Sequence, residues 1–389
     1  MRVLMLVATS LASDTRVLRE ATTLAVAGHE VHVIGKQVPL DFVAPDGVTW
    51  SSAGASSVFR AEGAASLSGK ALSPPVRAAR WMMLPTHRNQ AFSRWAAAAA
   101  EDAGHRTFDV VHAHDFTALE VGARLAVSRR VPFVYDSHEF WSGRPRVGRP
   151  TPTQARREAR IEAGLGSRAA AVITVGDGVA ETLRARYGWT HITVVRNTFP
   201  IPDRLPAAPP TPVGAVYAGR IAPYRELEVI AEASMRIDMP ITLIGPADTT
   251  WLARFNPGRA TVRPALPVDE VDVLLTSAGL ALVTHSDRWI NHRLAMPNKL
   301  FHAVRAGIPV VATDVGELGA LVRRHGVGEL YRPGDAESLA RAVEAAVRRY
   351  PQLVAAVHEA APELSWQKDA TVLLDLYARL PVSGAKAGR

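Results

Sequence analysis

The sequence predicts an α/β protein of two domains, each built on a parallel sheet covered by helices. Three observations carry that reading. Short continuous apolar runs alternate with helical stretches, as strands buried on both faces require. A proline-crowded segment near the middle interrupts the alternation, which then restarts. With 389 residues, 48% hydrophobic and 21% charged, the chain can bury two cores and is too apolar to be disordered.

The first set of runs is VLMLVA (3–8), VHVI (31–34), VVHAH (110–114), FVYD (133–136), AVITV (171–175) and ITVVR (192–196). Between the first two, Val17, Leu18, Ala21, Leu24 and Ala25 fall at helical spacing, and Gly28 stands where that helix should end. The opening unit is therefore βαβ. Arg2, an apolar run and then small residues imitate a signal peptide in outline. The α/β pattern continues from that run without a break, so it is read as a strand and the protein is expected in the cytoplasm. From Phe199 to Val213, prolines at 200, 202, 206, 209, 210 and 212 exclude helix and central strand and make a semi-rigid spacer. The expected domains are thus 1–200 and 213–364, with a linker at 201–212. The second set of runs is GAVYAG (214–219), ITLIG (241–245), LALVTH (280–285), IPVVAT (308–313) and GELY (328–331).

Composition removes several chemistries. There is no Cys, which excludes disulfides, thiolate catalysis and Cys-zinc sites. No run approaches the ~18 apolar residues of a membrane span. The 45 Lys+Arg exceed 37 Asp+Glu by 8, and 40 of the 45 are Arg. Guanidinium suits phosphate or carboxylate partners, although a GC-rich genome would leave the same bias. Without a block of like charges, nucleic acid is not expected as a partner. Segment 75–97 mixes Arg with Trp81, Met82, Met83, Leu84 and Trp95, which would suit a weak peripheral contact with the inner membrane face. Pro85 and the alanines suit an ordinary helix better. The tail 381–389 is expected to be disordered.

In open parallel sheets, ligands gather beyond the carboxyl ends of the strands. Those positions hold Asp14 and Arg16 after the first run, His114 and Asp115 after the third, and His138 and Glu139 after the fourth. In the second domain they hold Gly219, Arg220 and Arg225, then Asn298 and Lys299 before a helix starting near Leu300. One Arg among 40 is ordinarily a solvated side chain; it is the shared placement of Arg220, Arg225, Lys299 and a helix N-terminus that suggests a diphosphate site. His138, flanked by Asp136 and Glu139, reads as an acid/base, a substrate contact or a satisfied structural histidine. HAHD (112–115) places two His on one strand face with a single carboxylate after them, so no metal site is expected. The dinucleotide fingerprint, the P-loop and the serine-hydrolase elbow do not occur.

Six segments in order, 14–34, 109–126, 131–141, 172–188, 218–228 (AGRIAPYRELE) and 297–318 (PNKLFHAVRAGIPVVATDVGEL), resemble the GT-B glycosyltransferases of family 4. The closing SWQKDATVLLDLYARL (365–380) is similar to that family's last helix, which crosses back to the first domain. The resemblance implies two Rossmann-like domains facing across a cleft, and a retaining transferase with no required metal and no cofactor. It implies a nucleotide-sugar donor, UDP-sugar favoured over GDP-sugar, and a hydroxyl acceptor that is a small molecule, lipid or glycan. Gly219-Arg220 matches the motif that holds the donor diphosphate, and Arg225 falls where a Lys usually helps. Asn298 and Lys299 match a PNK signature facing the diphosphate. His138 matches a histidine that contacts the donor sugar, while Asp14 and Arg16 match a loop facing the phosphates and acceptor. His114, Asp115 and Glu139 are placed on the acceptor side. His302 stands where many members carry the Glu that grips the ribose, and Leu294 where they carry another. That departure keeps two alternatives open: a catalytically silent nucleotide-binding subunit, and a sugar-nucleotide epimerase.

Overall fold

The computed structural model describes residues 1–54, 92–144 and 152–381. They form two compact units. One comprises Met1–Thr174, Thr182–Val194 and the chain from Val372; the other comprises Val175–Glu181 and Val195–Thr371.

The first unit runs β1 (Arg2–Val7), α1 (Thr15–Val26), β2 (Glu30–Lys36), β3 (Val48–Ala53), α2 (92–104), β4 (Val110–His114), α3 (Asp115–Arg129), β5 (Phe133–Ser137), α4 (Pro152–Gly166), β6 (Ala171–Thr174), α5 (Asp177–Tyr187, of which it holds the part from Thr182) and β7 (Ile192–Val194). Its seven strands are parallel, in the order β3-β2-β1-β4-β5-β6-β7. The order reverses between β1 and β4, so crossovers leave these neighbours in opposite directions and a crevice opens at their carboxyl ends. β3 was not legible in the sequence, because VTWSSA on the sheet edge is half exposed and lacks a continuous apolar run.

Asp14 starts α1, its Oδ1 accepting from Val17 N at 3.3 Å. Gly28, at φ 85°, turns the chain out of the helix. The buried stripe of α1 is Arg16, Val17, Glu20, Ala21 and Leu24, an apolar face carrying two charges. On the other side of the sheet α3 lies so close to β4 that a Cβ on Gly122 would sit 2.7 Å from Ala113 Cβ.

The second unit runs β8 (Gly214–Ala218), α6 (Leu227–Ala233), β9 (Ile241–Ile244), α7 (Thr249–Leu252), β10 (Thr261–Arg263), α8 (Val268–Ala278), β11 (Gly279–Val283), α9 (Ile290–Leu294), α10 (Asn298–Arg305), β12 (Val310–Thr313), α11 (Gly316–His325), β13 (Gly328–Tyr331), α12 (Ala336–Arg348), α13 (Tyr350–Ala360) and α14 (Trp366–Ala378). Its six parallel strands take the order β10-β9-β8-β11-β12-β13, reversing between β8 and β11. The three-residue β10 escaped the sequence reading, and α10 begins two residues before the expected Leu300.

The proline-rich stretch is not a free spacer. Phe199 belongs to the core of the second unit, and Ile201, Leu205 and Ala208 pack against that core. Just before it, Arg196 Nε and Thr198 Oγ1 donate to the buried carboxylate of Asp369 at 3.1 and 2.6 Å. The main segment of the second unit therefore begins at Val195, ahead of the expected linker. α14 starts in the second unit, but from Val372 the chain belongs to the first, where the Tyr377 hydroxyl meets His112 Nδ1 at 2.8 Å.

No helix among the described residues is long and apolar enough to cross a membrane. Most of segment 75–97 lies outside the described residues, as does the tail beyond 381. Trp95, offered as a membrane contact, is buried in the first unit with its indole donating to Gly35 O at 3.3 Å.

Gly122→Val should lower stability by about 1–3 kcal/mol, because the new side chain must push α3 off β4. Urea unfolding measures it, and an unchanged midpoint would show that the helix floats on the sheet.

Candidate active site

At the carboxyl end of β4 and β5 in the first unit lies a buried cluster of charge. Register pairs His114 with Asp136, and the two-residue strand repeat puts His112 on the same face as His114, their rings stacked 4.2 Å apart. From α1, Arg16 brings Nε and Nη2 to the two Asp136 oxygens at 2.8 and 2.9 Å, and Nη2 to Glu20 Oε1 at 3.1 Å. Asp136 Oδ2 also meets His114 Nδ1 and His138 Nε2, both at 3.1 Å. Burial opposes the charge on Asp136, but Arg16 and His138 outweigh it and hold its carboxyl well below the usual range. For Glu20, burial wins over Arg16 and its carboxyl is pushed up to about 7.

Glu20, His112, His114 and Asp136 each bring one potential ligand atom to within 4.8 Å of the others, the donor set of a metal site. The sequence reading saw one carboxylate after two histidines and could not see Glu20 and Asp136 arriving from other elements. The cation at this place, however, is the Arg16 guanidinium, and a divalent ion would have to share both carboxylates with it. We read the cluster as an ionic network.

The structure places the other expected first-unit residues around this network. Arg16, expected to face phosphate, is only 3% exposed and lies inside the unit; His114, expected on the acceptor side, is fully buried. Asp14 caps α1 and accepts from Thr9 Oγ1 at 3.0 Å. Glu139 pairs with Arg144 at 3.0 Å. His138 and Asp115 reach the surface, with side chains 21% and 28% exposed and His138 Nδ1 4.0 Å from Asp115 Oδ2.

The second unit gathers cations at the ends of β8 and β11. Gly245, at φ 146°, passes so near the loop after β8 that a Cβ there would lie 2.1 Å from Gly219 O. Gly219 in turn leaves room for Lys299, whose Nζ sits 5.0 Å from the centre of the buried Tyr217 ring. The Tyr217 hydroxyl donates to Arg220 O at 3.0 Å. Arg225 is presented by a doubly bent loop, with Tyr224 at φ 65° and Glu226 at φ 59° on either side, and its carbonyl accepts from Thr284 Oγ1 at 2.7 Å. Glu226 Oε2 accepts from Gly334 N at 2.6 Å, which anchors the second bend.

Arg220 is exposed, Arg225 and Lys299 are half-buried, and none has a carboxylate partner among the described residues. Burial, and then the Arg225 charge, pull the Lys299 ammonium down to about 7. Burial, Lys299, His292 and Arg225 hold His285 near 3 and so neutral. Unpaired positive charge at a strand-end crevice is what an anion site requires. Asn298 opens α10 and its Oδ1 accepts from Asn197 at 3.0 Å. His302, one turn on, faces Asp272 Oδ1 at 3.3 Å and packs its ring 4.0 Å from that of Phe199.

The family model described as Glycosyltransferase Family 4 matches residues 14–200, and that described as Glycosyl transferases group 1 matches residues 213–349. The chain is a family 4 glycosyltransferase. Among curated proteins it is similar to the glycogen synthase of Mycobacterium tuberculosis, with 26% identity over 290 residues, 69% of this chain and 68% of that one. Among solved structures it resembles sucrose-phosphate synthase from Thermosynechococcus elongatus, with a TM-score of 0.72 at 16% identity over 97% of this chain and 99% of that one. It also resembles Anabaena HepE in complex with UDP-glucose, with a TM-score of 0.67 at 14% identity over 98% and 100% of the two chains. These likenesses give the transferase its GT-B fold.

Sequence reasoning missed Glu20, Asp136 and Tyr377 as members of this glycosyltransferase's first-unit network, and Tyr217, Thr284 and His285 as supports of its second. One signal was present: Arg16 and Glu20, four residues apart, lie in the stripe of α1 that also carries Val17, Ala21 and Leu24. Charges in an apolar stripe announce a buried partner.

Lys299 titrates near 7 in the folded enzyme and at about 10.4 unfolded. Between those values the folded chain binds fewer protons, so this lysine costs stability at pH 7 and progressively less as pH rises toward 10. Lys299→Met should therefore be more stable than wild type at pH 7, with the difference shrinking by pH 10. Urea titrations at the two pH values measure it, and a pH-independent difference would refute the assignment.

Proposed function

We propose that this transferase moves a hexosyl group from a nucleoside-diphosphate sugar to an acceptor hydroxyl, with retained configuration and without a metal ion. The observation that carries the reading is the set of three basic groups, Arg220, Arg225 and Lys299, brought together without carboxylate partners among the described residues. A diphosphate supplies the missing negative charge, and its charge grows as the sugar bond breaks, so the same cations favour the transition state over the bound donor. The bond between the anomeric carbon and the diphosphate breaks. The acceptor oxygen then bonds to that carbon from the same face, and its proton passes to a phosphate oxygen of the departing nucleotide. That the solved relative HepE holds UDP-glucose supports a uridine donor. His302 engages Asp272, so a ribose would be gripped less firmly than by a free carboxylate.

A thermal-shift series with UDP, GDP, dTDP and ADP at about 1 mM tests the donor site. A nucleotide with Kd near 0.1 mM stabilises by about 1.4 kcal/mol at that concentration. UDP should give the largest shift, unchanged by EDTA. Arg220→Ala should lose about 10- to 100-fold in affinity, the worth of a charge-assisted contact. No response to any nucleotide would overturn the donor site, whereas binding of UDP without turnover of any UDP-sugar would mark a silent subunit.

Lys299 provides a second test. Its ammonium must be restored when the diphosphate arrives, so binding above pH 7 should take up protons and weaken as pH rises. Calorimetry in buffers of different ionisation enthalpy reads that uptake, which Lys299→Met should abolish. Retention is read from the anomeric proton coupling of the product formed from UDP-glucose. A β-configured product would overturn it.

A further inference from the structure

His285 stands two residues past β11, at the strand end where the second unit gathers its cations. Its backbone is fixed to the elements on either side. Thr284 Oγ1 donates to Arg225 O in the loop after β8 at 2.7 Å, and His285 N donates to Thr313 Oγ1 at the end of β12 at 2.9 Å. The residue is 7% exposed, yet its Nδ1 has no hydrogen-bond partner among the described residues. An unsatisfied buried nitrogen costs stability, so folding alone gives no reason to keep one.

The groups beside the ring do not supply the partner. His292 lies 4.6 Å away, ring to ring, but its own Nδ1 is 2.6 Å from Ser286 Oγ and its ring also meets that of Trp289 at 4.8 Å. Arg225 and Lys299 are near enough for their charges to act on the imidazole, and they too leave Nδ1 unsatisfied. A ligand seated on Arg225 and Lys299 therefore has a fixed and unengaged polar atom beside it. The cations meet the charge of a diphosphate, to which an uncharged ring adds little. What the ring adds is direction, because a neutral imidazole gives one hydrogen bond and accepts one, as a hydroxyl does. Burial, followed by Lys299, His292 and Arg225, keeps it neutral with a pKa of about 3.

We propose that Nδ1 of His285 hydrogen-bonds a hydroxyl of the sugar that the diphosphate carries, which makes His285 a specificity-determining residue of the donor site. This rests on the donor reading above and extends it from the phosphates, which any nucleoside diphosphate brings, to the sugar itself. A buried atom that must be paired discriminates more sharply than an apolar wall, since a sugar lacking that hydroxyl leaves it unpaired.

Calorimetric Kd values for UDP and UDP-glucose on the full chain, with urea midpoints of the free protein, test the contact. His285→Leu removes the nitrogen at similar volume. It should bind UDP as wild type does, bind UDP-glucose about three- to tenfold more weakly, and unfold at higher urea when free of ligand. His285→Asn puts an amide where Nδ1 stands and should restore most of the UDP-glucose affinity. His285→Gln, which reaches the position of Nε2, should not. With UDP-glucose analogues each lacking one sugar hydroxyl, wild type should lose affinity for one of them and His285→Leu for none. Equal weakening of UDP and UDP-glucose in His285→Leu would put the contact on a phosphate and overturn the proposal, as would unchanged binding of both. If His285→Leu does not fold, the other two variants decide, and equal UDP-glucose affinity in His285→Asn and His285→Gln overturns it. A wild type that binds no UDP removes the donor reading and this contact together, whereas UDP binding with no effect at His285 removes the contact alone.

Discussion

Arg16 reaches from α1 across the end of β4 to close its guanidinium on both oxygens of Asp136, and the polar interior of the first unit is organised around that ion pair. Two charges without solvent are tolerable only if their geometry is good and their remaining donors and acceptors are engaged. Here Glu20 Oε1 lies 3.1 Å from Nη2 of the guanidinium, while His114 and His138 both meet the buried Oδ2 of the carboxylate. Removing either partner would leave a buried charge alone, a loss of about 3–5 kcal/mol in comparable cases. The pair ties α1 to β5 through a stacked histidine couple on β4, so helix and sheet share one electrostatic centre.

The two units handle charge in opposite ways. In the first, cation and anion neutralise each other inside the protein, and what reaches the surface is His138, its Nε2 already engaged by Asp136, beside Asp115. In the second, Arg220, Arg225 and Lys299 have no carboxylate partner among the described residues. Lys299 beside Tyr217 and near Arg225 carries much of that imbalance, which is why its ammonium is weakened and His285 stays neutral. A unit that keeps its charges balanced suits orientation. One that keeps them unbalanced suits capture of an anion, because the ligand completes the electrostatics that folding leaves open.

Backbone strain marks the same places. Among the described residues, non-glycine positions with positive φ include Asp115 at the start of α3, and Tyr224 and Glu226 around Arg225. At each, a chain leaving the carboxyl end of a strand bends out of the ordinary path to aim a side chain, and the sheet behind holds the bend in place. Both bends lie beside a reversal of strand order, after β4 in one unit and after β8 in the other.

The sequence alone determined the class, the alternation of strands and helices, and the strand-end positions of His138, Arg220, Arg225 and Lys299. Those features are local: continuous apolar runs, a 3.6-residue stripe, a proline cluster and residues set just past a strand. It did not show that the prolines lie along the second unit, because apolar Phe199, Ile201 and Leu205 pack on a core gathered from Val216 to Leu364, in elements that no spacing connects to them. Nor did it show which charges are buried. Arg16 and Lys299 look alike as strand-end cations, yet one is neutralised by Asp136, 120 residues away, and the other sits over an aromatic ring with no carboxylate partner among the described residues. Whether a charge is paired depends on where strand order brings other elements, and only the tertiary structure decides that.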